Sequence, residues 1–258
     1  MESFLKNIGR SVLRAKKDLF FCIKYNLTFP FNRAYPIFHY DQAPFNSVLQ
    51  TKEEIDNVKL ILKKLRVIRY PGDYKNWDSI AFTSIIATNV SPNERILDAG
   101  GEYTSTILPW LRYLNYKNLS CINLDMKDKM LRGISYSRGD ITKTPYKKES
   151  FGAVTCQSVI EHGVDPTAYF KEMARIIKPG GLLITSTDYW ETPIDTKGMT
   201  AYGVPIKIFT KEDIELMILI AADFGFELEG ELYLTCKDKV VKWRGLEYTF
   251  VYFTLRKK

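Results

Sequence analysis

The chain is sparing with cysteine and histidine and contains no long apolar run. Its four cysteines, Cys22, Cys121, Cys156 and Cys236, stand far apart and form no CxxC pair. That excludes a disulfide-stapled scaffold and zinc-ligand spacing, and leaves them as small apolar residues of a reduced protein. No stretch approaches the ~18 apolar residues of a membrane span; the longest apolar run is Leu216–Ala222. Lys16, Lys17 and Lys24 crowd the short Leu19–Ile23 segment and no small-residue cleavage site follows, so a secretory signal is not expected. The expected location is cytoplasmic. Internal repeats are also missing.

What is present is ordinary for a folded protein. Of 258 residues, 45% are hydrophobic and 26% charged, which excludes disorder, collagen and coiled coil. The length suits one domain with an appendage. A net charge of +7 is compatible with nucleic acid, an anionic membrane or an acidic small molecule, and selects none of them.

Two regions differ in texture: residues 1–75, expected to be a helical and aromatic cap, and residues 76–258, the main domain. Phe4, Leu5, Ile8, Val12, Ala15, Leu19 and Ile23 form one helical stripe, with Lys6, Arg10, Arg14 and Lys17 opposite. Such a basic amphipathic helix either lids the site or lies on an anionic membrane. The segment Phe29–Phe45, broken by three prolines, reads as loop. Thr51–Glu54 has capping-box form and opens a helix with Ile55, Val58, Ile61, Leu62 and Leu65 on its apolar face. Tyr70-Pro-Gly-Asp73 closes the region as a turn.

Beyond Trp77, helices and strands alternate. Strands are expected at Arg95–Ala99, Leu119–Leu124, Phe151–Cys156 and Leu182–Thr187, and late ones near Glu227–Thr235 and Leu246–Leu255. Asp165-Pro166 signals a helix start, Lys178-Pro-Gly-Gly181 a stop, and Thr210–Asp213 a second capping box. The pattern predicts an α/β, doubly wound, mostly parallel sheet ending in an antiparallel hairpin.

Ligands of such sheets sit beyond the carboxyl ends of the strands. Asp98-Ala-Gly100-Gly101-Glu102 follows the first strand, Asp125 the second, and Asp140-Ile141 stands near the third crossover. Gln157, Ser158, Glu161 and His162 follow the Phe151–Cys156 strand, and Asp188 follows Leu182–Thr187. Glycines admit close backbone approach, Asp125 suits a ribose diol and Asp140 an exocyclic amine, which together fit an adenosine. Glu102 and Tyr103 occupy the place where a pyrophosphate would need backbone and cations.

The segments Ile96–Glu102, Asn123–Asp125, Gly139–Ile141, Ser150–His162 and Ile176–Leu183 resemble the class I S-adenosylmethionine-dependent methyltransferases over residues 77–258. The likeness is greatest to the small-molecule branch with an SVxEH segment and a KPGG turn. It implies a Rossmann-like seven-stranded sheet and S-adenosylmethionine as cofactor. It further implies that Asp98, Gly100, Gly101 and Glu102 lie along the methionine half, Asp125 on the ribose, and Met126, Asp140 and Ile141 around the adenine. Gln157 and Ser158 would line the cofactor. Relatives that use a divalent metal carry an acid where this chain has Ser158, so no metal ligand is assigned. The motif glycines are replaced at Glu102 and Thr104, and a customary aspartate by Gly152. These departures leave a non-catalytic cofactor binder as one alternative.

Transfer of a methyl group to a hydroxyl needs alignment and a base. His162 is the expected base of an O-methylation, with Glu161 or Asp188 orienting it; otherwise the Glu161-His162 pair shapes its loop. Tyr189 and Trp190 either stack on a small-molecule or glycan-like acceptor or pack beneath the loop that runs to Phe209. The acceptor motif of base-amino methyltransferases is missing after Cys156, and no dense basic cluster marks residues 76–258, so nucleic acid is the weaker alternative, as an RNA substrate.

Overall fold

The computed structural model describes residues 43–258. The expected helix over Met1–Ile23 and most of the Phe29–Phe45 loop lie outside the described residues.

Five parallel strands form the centre. In spatial order they are β5 (Ile134–Arg138), β3 (Asn118–Asn123), β2 (Arg95–Ala99), β6 (Phe151–Gln157) and β7 (Ile177–Tyr189). β12 (Leu246–Lys257) joins β7 antiparallel, and β4 (Lys129–Leu131) borders β5 antiparallel. The connections run outward in opposite directions from β2 and β6, so the carboxyl ends of these two strands mark the switch point where a Rossmann-like sheet binds its ligand. The central strands are almost continuously apolar because helices cover both faces. One face is covered by α1 (Lys52–Leu65), α2 (Lys75–Asn89) and α3 (Ile107–Tyr113). The other carries α4 (Pro166–Ile176) and α5 (Lys211–Asp223).

Local signals act as anticipated at α4 and α5. Asp165 Oδ1 accepts from Ala168 N at 2.7 Å with Pro166 as the first helical residue, and Thr210 and Asp213 form a reciprocal capping box. At α1 the expected box does not form. Thr51 makes no side-chain cap; Glu54 instead accepts from Gln50 N at 3.0 Å and from Trp77 Nε1 at 3.0 Å. A partner on α2 thus takes the carboxylate that a local cap would have used.

Two further expectations are corrected. The Lys178–Gly181 turn does not precede its strand but lies inside β7 as an irregularity, where pairing passes from Phe151↔Ile177 to Ala153↔Leu182. The strand expected over Glu227–Thr235 shrinks to β10 (Phe226–Leu228). Its continuation along β12 is taken by the N-terminal segment: Asn46 Oδ1 accepts from Thr254 N at 2.8 Å, its Nδ2 donates to the Glu229 and Glu231 carbonyls, and β1 (Ser47–Val48) pairs with β12. The closing hairpin is therefore β11 (Val241–Trp243) with β12, turned by Arg244 and Gly245 at positive φ.

Among the described residues, no helix is long and apolar enough to cross a membrane.

Candidate active site

At the switch point lies an open cleft of about 310 Å³. Its floor is the turn after β2. Gly100 has φ +85°, and a Cβ there would meet Val159 Cγ2 at 2.4 Å; one on Gly101 would meet Asp98 Oδ2 at 2.1 Å. Only glycine lets this backbone lie so close to its supports. Asn123, the last residue of β3, fixes the turn: its Nδ2 donates to Gly100 O at 2.8 Å and Gly101 O at 3.1 Å, and its Oδ1 accepts from Asp125 N at 3.0 Å.

Asp98 lies buried beneath this floor. Oδ1 accepts from Thr155 Oγ1 at 2.9 Å, while Oδ2 is buried without a hydrogen-bond partner. Burial pushes its pKa up to about 6, against the opposing hydroxyls of Thr155 and Ser105. At the β3–β5 side, Asp125 and Asp140 present exposed carboxylates beside Leu124 and the buried Ile141. Asp140 Oδ1 is held by Thr142 N and Oγ1, both at 2.8 Å.

The opposite end is built by α2, the turn after β6, and a small hairpin. Asn76 shapes the entry to α2: its Oδ1 accepts from Tyr70 N at 2.8 Å and its Nδ2 donates to the Tyr70 and Gly72 carbonyls. Trp110, fully buried on α3, donates from Nε1 to Ile68 O at 2.8 Å and pins the preceding segment. Tyr70 and Lys75 are thereby brought to the cleft. Lys75 Nζ donates to Ser158 Oγ and stands 4.1 Å from the Phe250 ring centroid. Gln157 Nε2 donates to Lys75 O at 2.9 Å and to Asp78 Oδ1 at 2.6 Å; Ser186 Oγ donates to Asp78 Oδ2 at 2.6 Å.

Three buried carboxylates lie behind this wall. Burial raises the pKa of Asp78, Glu161 and Asp188 in each case, and Lys75 opposes it; Glu161 reaches about 8, with Asp188 adding to the rise. His162 faces the cleft. Burial, then Lys75, lowers its pKa to about 4, so the imidazole is neutral at pH 7, and Nδ1 is buried without a hydrogen-bond partner. Its ring meets Tyr202 edge-on, centroids 5.3 Å apart. Tyr202 tops the hairpin of β8 (Thr200–Ala201) and β9 (Val204–Pro205), whose turn places Tyr202 and Gly203 at positive φ.

Of the residues singled out in the sequence, Gly100, Gly101, Glu102, Asp125, Asp140, Ile141, Gln157, Ser158 and His162 all line this one cleft. Asp98 supports it from below. Met126 is buried in the core, with its N–H on Asn123 O. Glu161 turns into the sheet, where Oε2 accepts from Thr187 Oγ1 at 3.3 Å, and it makes no hydrogen bond to its neighbour His162. The expected orienting role is thus replaced by contact with β7. Asp188 is buried at the end of β7. Tyr189 is fully buried and donates to Leu234 O at 2.6 Å, so it packs beneath the loop and does not face an acceptor. Trp190 also packs on the core, with Lys239 Nζ 4.9 Å from its ring. Tyr70, Lys75, Asn123, Ser105 and Tyr202 were not anticipated. Lys75 and Tyr70 sit in a turn and helix start whose local sequence marks only a loop boundary.

Residues 97–185 match the family model described as a methyltransferase domain. The demethylmenaquinone methyltransferase of Mycobacterium sp. (strain KMS) is 33% identical over 122 residues, which is 45% of this chain and 50% of that protein. The chain thus spans about half the length of the curated relatives it matches. Among solved structures, geranyl diphosphate C-methyltransferase from Streptomyces coelicolor A3(2) superposes over 91% of this chain and 98% of its own, with TM-score 0.55 and 14% identity. An S-adenosylmethionine-dependent methyltransferase from Mesorhizobium loti covers 71% and 98%, with TM-score 0.51 and 16% identity. At such identities the likeness speaks for the fold. Family match, sheet order and a cleft at the predicted strand ends agree: residues 97–185 match a methyltransferase domain, set in a fold like that of the S-adenosylmethionine-dependent methyltransferases.

Proposed function

We propose that the protein transfers a methyl group from S-adenosylmethionine to a small acceptor that carries a hydroxyl. The observation that carries this reading is the convergence on one cleft of a glycine turn, two exposed carboxylates and a neutral histidine. The residues present suit the donor. Asp125 would take the ribose hydroxyls, and Asp140 the adenine amine, beside the apolar Leu124 and Ile141. The uncommitted Oδ2 of Asp98, under Gly101, would meet the positive amino end of the methionine half. When bound, the sulfonium supplies an electrophilic methyl carbon: the acceptor's lone pair bonds to it while the C–S electron pair returns to sulfur.

The protein's own part is alignment and removal of the hydroxyl proton. His162 is proton-free at neutral pH and faces the cleft, so it would take that proton. Methylation of the hydroxyl oxygen is the finer form of this proposal. The names of the curated relatives and of the Streptomyces structure favour a second form, in which the ionised hydroxyl activates a neighbouring carbon. That carbon, once methylated, gives up its own hydrogen as a proton while the C–H electron pair restores the ring and the oxygen is reprotonated. Both forms need the same proton to leave. For either, a hydroxylated ring of the demethylmenaquinol type is the acceptor to try first.

Titration calorimetry with S-adenosylmethionine on the wild-type chain and Asp125→Ala tests the donor site. Binding that Asp125→Ala weakens at least tenfold supports it, and no binding, or equal binding, overturns it. Transfer of a labelled methyl group to short-chain demethylmenaquinol, kept reduced, tests the acceptor. Carbon NMR of the product separates an O-methyl from a C-methyl group.

A further inference from the structure

Among the described residues that line the cleft, Lys75 is the one lysine or arginine. An ammonium carries three N–H donors. One is used on Ser158 Oγ, and the stem rests on the Phe250 ring. Among the described residues, no carboxylate closes an ion pair with Nζ. Asp78 is instead engaged by Gln157 and Ser186, and Glu161 by Thr187. The carboxylates therefore hold the cation in place from a distance without consuming its donors.

The scaffold around Nζ is tightly determined. Gln157 Nε2 bonds the Lys75 carbonyl at 2.9 Å, and Asn76 secures the turn just before it. Ser158, which receives the ammonium, is a non-glycine residue at φ +51°, a conformation kept only where its surroundings impose it. His162 lines the same end of the cleft.

We infer that Lys75 is a specificity residue that holds the deprotonated hydroxyl oxygen of the acceptor with the two N–H donors Ser158 leaves uncommitted. This rests on the hydroxyl-bearing acceptor proposed above. The groups facing Nζ are Asp78 from its own helix, Glu161 and His162 from the turn after β6, Asp188 at the end of β7, and Tyr248 from β12, which contacts Asp188. At neutral pH Glu161 keeps its proton and His162 is neutral, so the cation retains charge to offer. Neutral acceptors lacking an ionisable hydroxyl would leave a half-buried ammonium without its partner, a mismatch that discriminates strongly.

The test uses the full chain as wild type, Lys75→Gln and Lys75→Arg, with short-chain demethylmenaquinol as acceptor and S-adenosylhomocysteine and 5′-methylthioadenosine as donor-site probes. Lys75→Gln is expected to lower kcat/KM for the quinol on the order of 10- to 100-fold, the worth of a hydrogen bond to a charged group. Its acid limb should move to higher pH, affinity for S-adenosylhomocysteine should stay within twofold, and Lys75→Arg should recover most of the loss. Unchanged kcat/KM in Lys75→Gln overturns the inference. So does loss of S-adenosylhomocysteine affinity with 5′-methylthioadenosine binding retained, which would assign Lys75 to the donor's carboxylate. Equal loss for every ligand, unrescued by arginine, would mark a structural role and also overturn it. A wild type that binds S-adenosylhomocysteine but leaves the quinol unmethylated removes the proposed acceptor, and this inference with it.

Discussion

The carboxamide of Asn123 reaches across from the end of β3 to Gly100, with Nδ2 2.8 Å from its carbonyl oxygen, while the same side chain accepts from Asp125 N at 3.0 Å. One residue thereby couples the two turns proposed to bind opposite halves of the donor. Asn123→Ala would leave the Gly100 and Gly101 carbonyls and the Asp125 amide short of partners. We expect a loss of about 2 kcal/mol in stability and roughly tenfold weaker S-adenosylmethionine binding, read by thermal melting and calorimetry.

Asp98 trades stability for function. Its folded pKa of about 6 lies above that of a free carboxyl, so the fold binds the extra proton and is favoured at low pH. The contribution is complete below about pH 4, where the unfolded chain is also protonated. It is lost as pH rises through 6. Asp98→Asn should therefore stabilise the ligand-free protein above pH 7 by an amount on the order of 2 kcal/mol, with the gain shrinking toward pH 4, while weakening S-adenosylmethionine binding. Denaturant melts across that range check the sign; a gain that grows in acid would refute it.

The identity of the base is visible in the pH profile. His162 loses its proton near pH 4 and Glu161 near pH 8. If His162 takes the proton, kcat will already be on its plateau at neutral pH, and His162→Ala will lower it on the order of 100-fold without altering donor affinity. A kcat that climbs through pH 8 and collapses in Glu161→Gln would transfer the role to Glu161.

The resemblance to methyltransferases implies an aspartate where this chain has Gly152, and a Cβ there would meet Glu94 Cβ at 2.8 Å. Glu94 is fixed in turn by Lys178, whose Nζ lies 2.5 Å from Oε2. Gly152→Asp, although it supplies the residue that the resemblance implies, is expected to destabilise by about 2 kcal/mol and to leave the donor's Kd unchanged. Chemical denaturation with parallel calorimetry measures both. The departure reflects packing at the amino end of β6, remote from the cleft.

Strand ends were legible because both signals at them are local. Asp98-Ala-Gly-Gly, Asp125 and Asp140 announce themselves by residue type just after an apolar run, and all fall at one cleft or directly beneath it. The acceptor end was less so. Tyr189 and Trp190 look like exposed loop aromatics, yet β7 extends through Tyr189 and carries it into the core, with Trp190 half-buried against that core. Lys75 has no local mark at all: its importance arises from Ser158 in the turn after β6, 83 positions away in the chain, and from Phe250 on β12, farther still. Asn46 likewise reads as a loop asparagine and acts as a missing piece of a strand.

That substitution of a side chain for strand backbone has a consequence for how the molecule keeps to itself. Along the outer margin of β12, Asn46 and β1 occupy hydrogen-bonding positions that β10 vacates. A shortened protein begun at residue 52 would retain every group proposed to touch donor or acceptor, yet bare that ribbon of amides and carbonyls to any passing neighbour. Such open margins invite intermolecular pairing, so the few residues around Asn46 act as the sheet's selvedge, and solubility would fray with their removal before chemistry did.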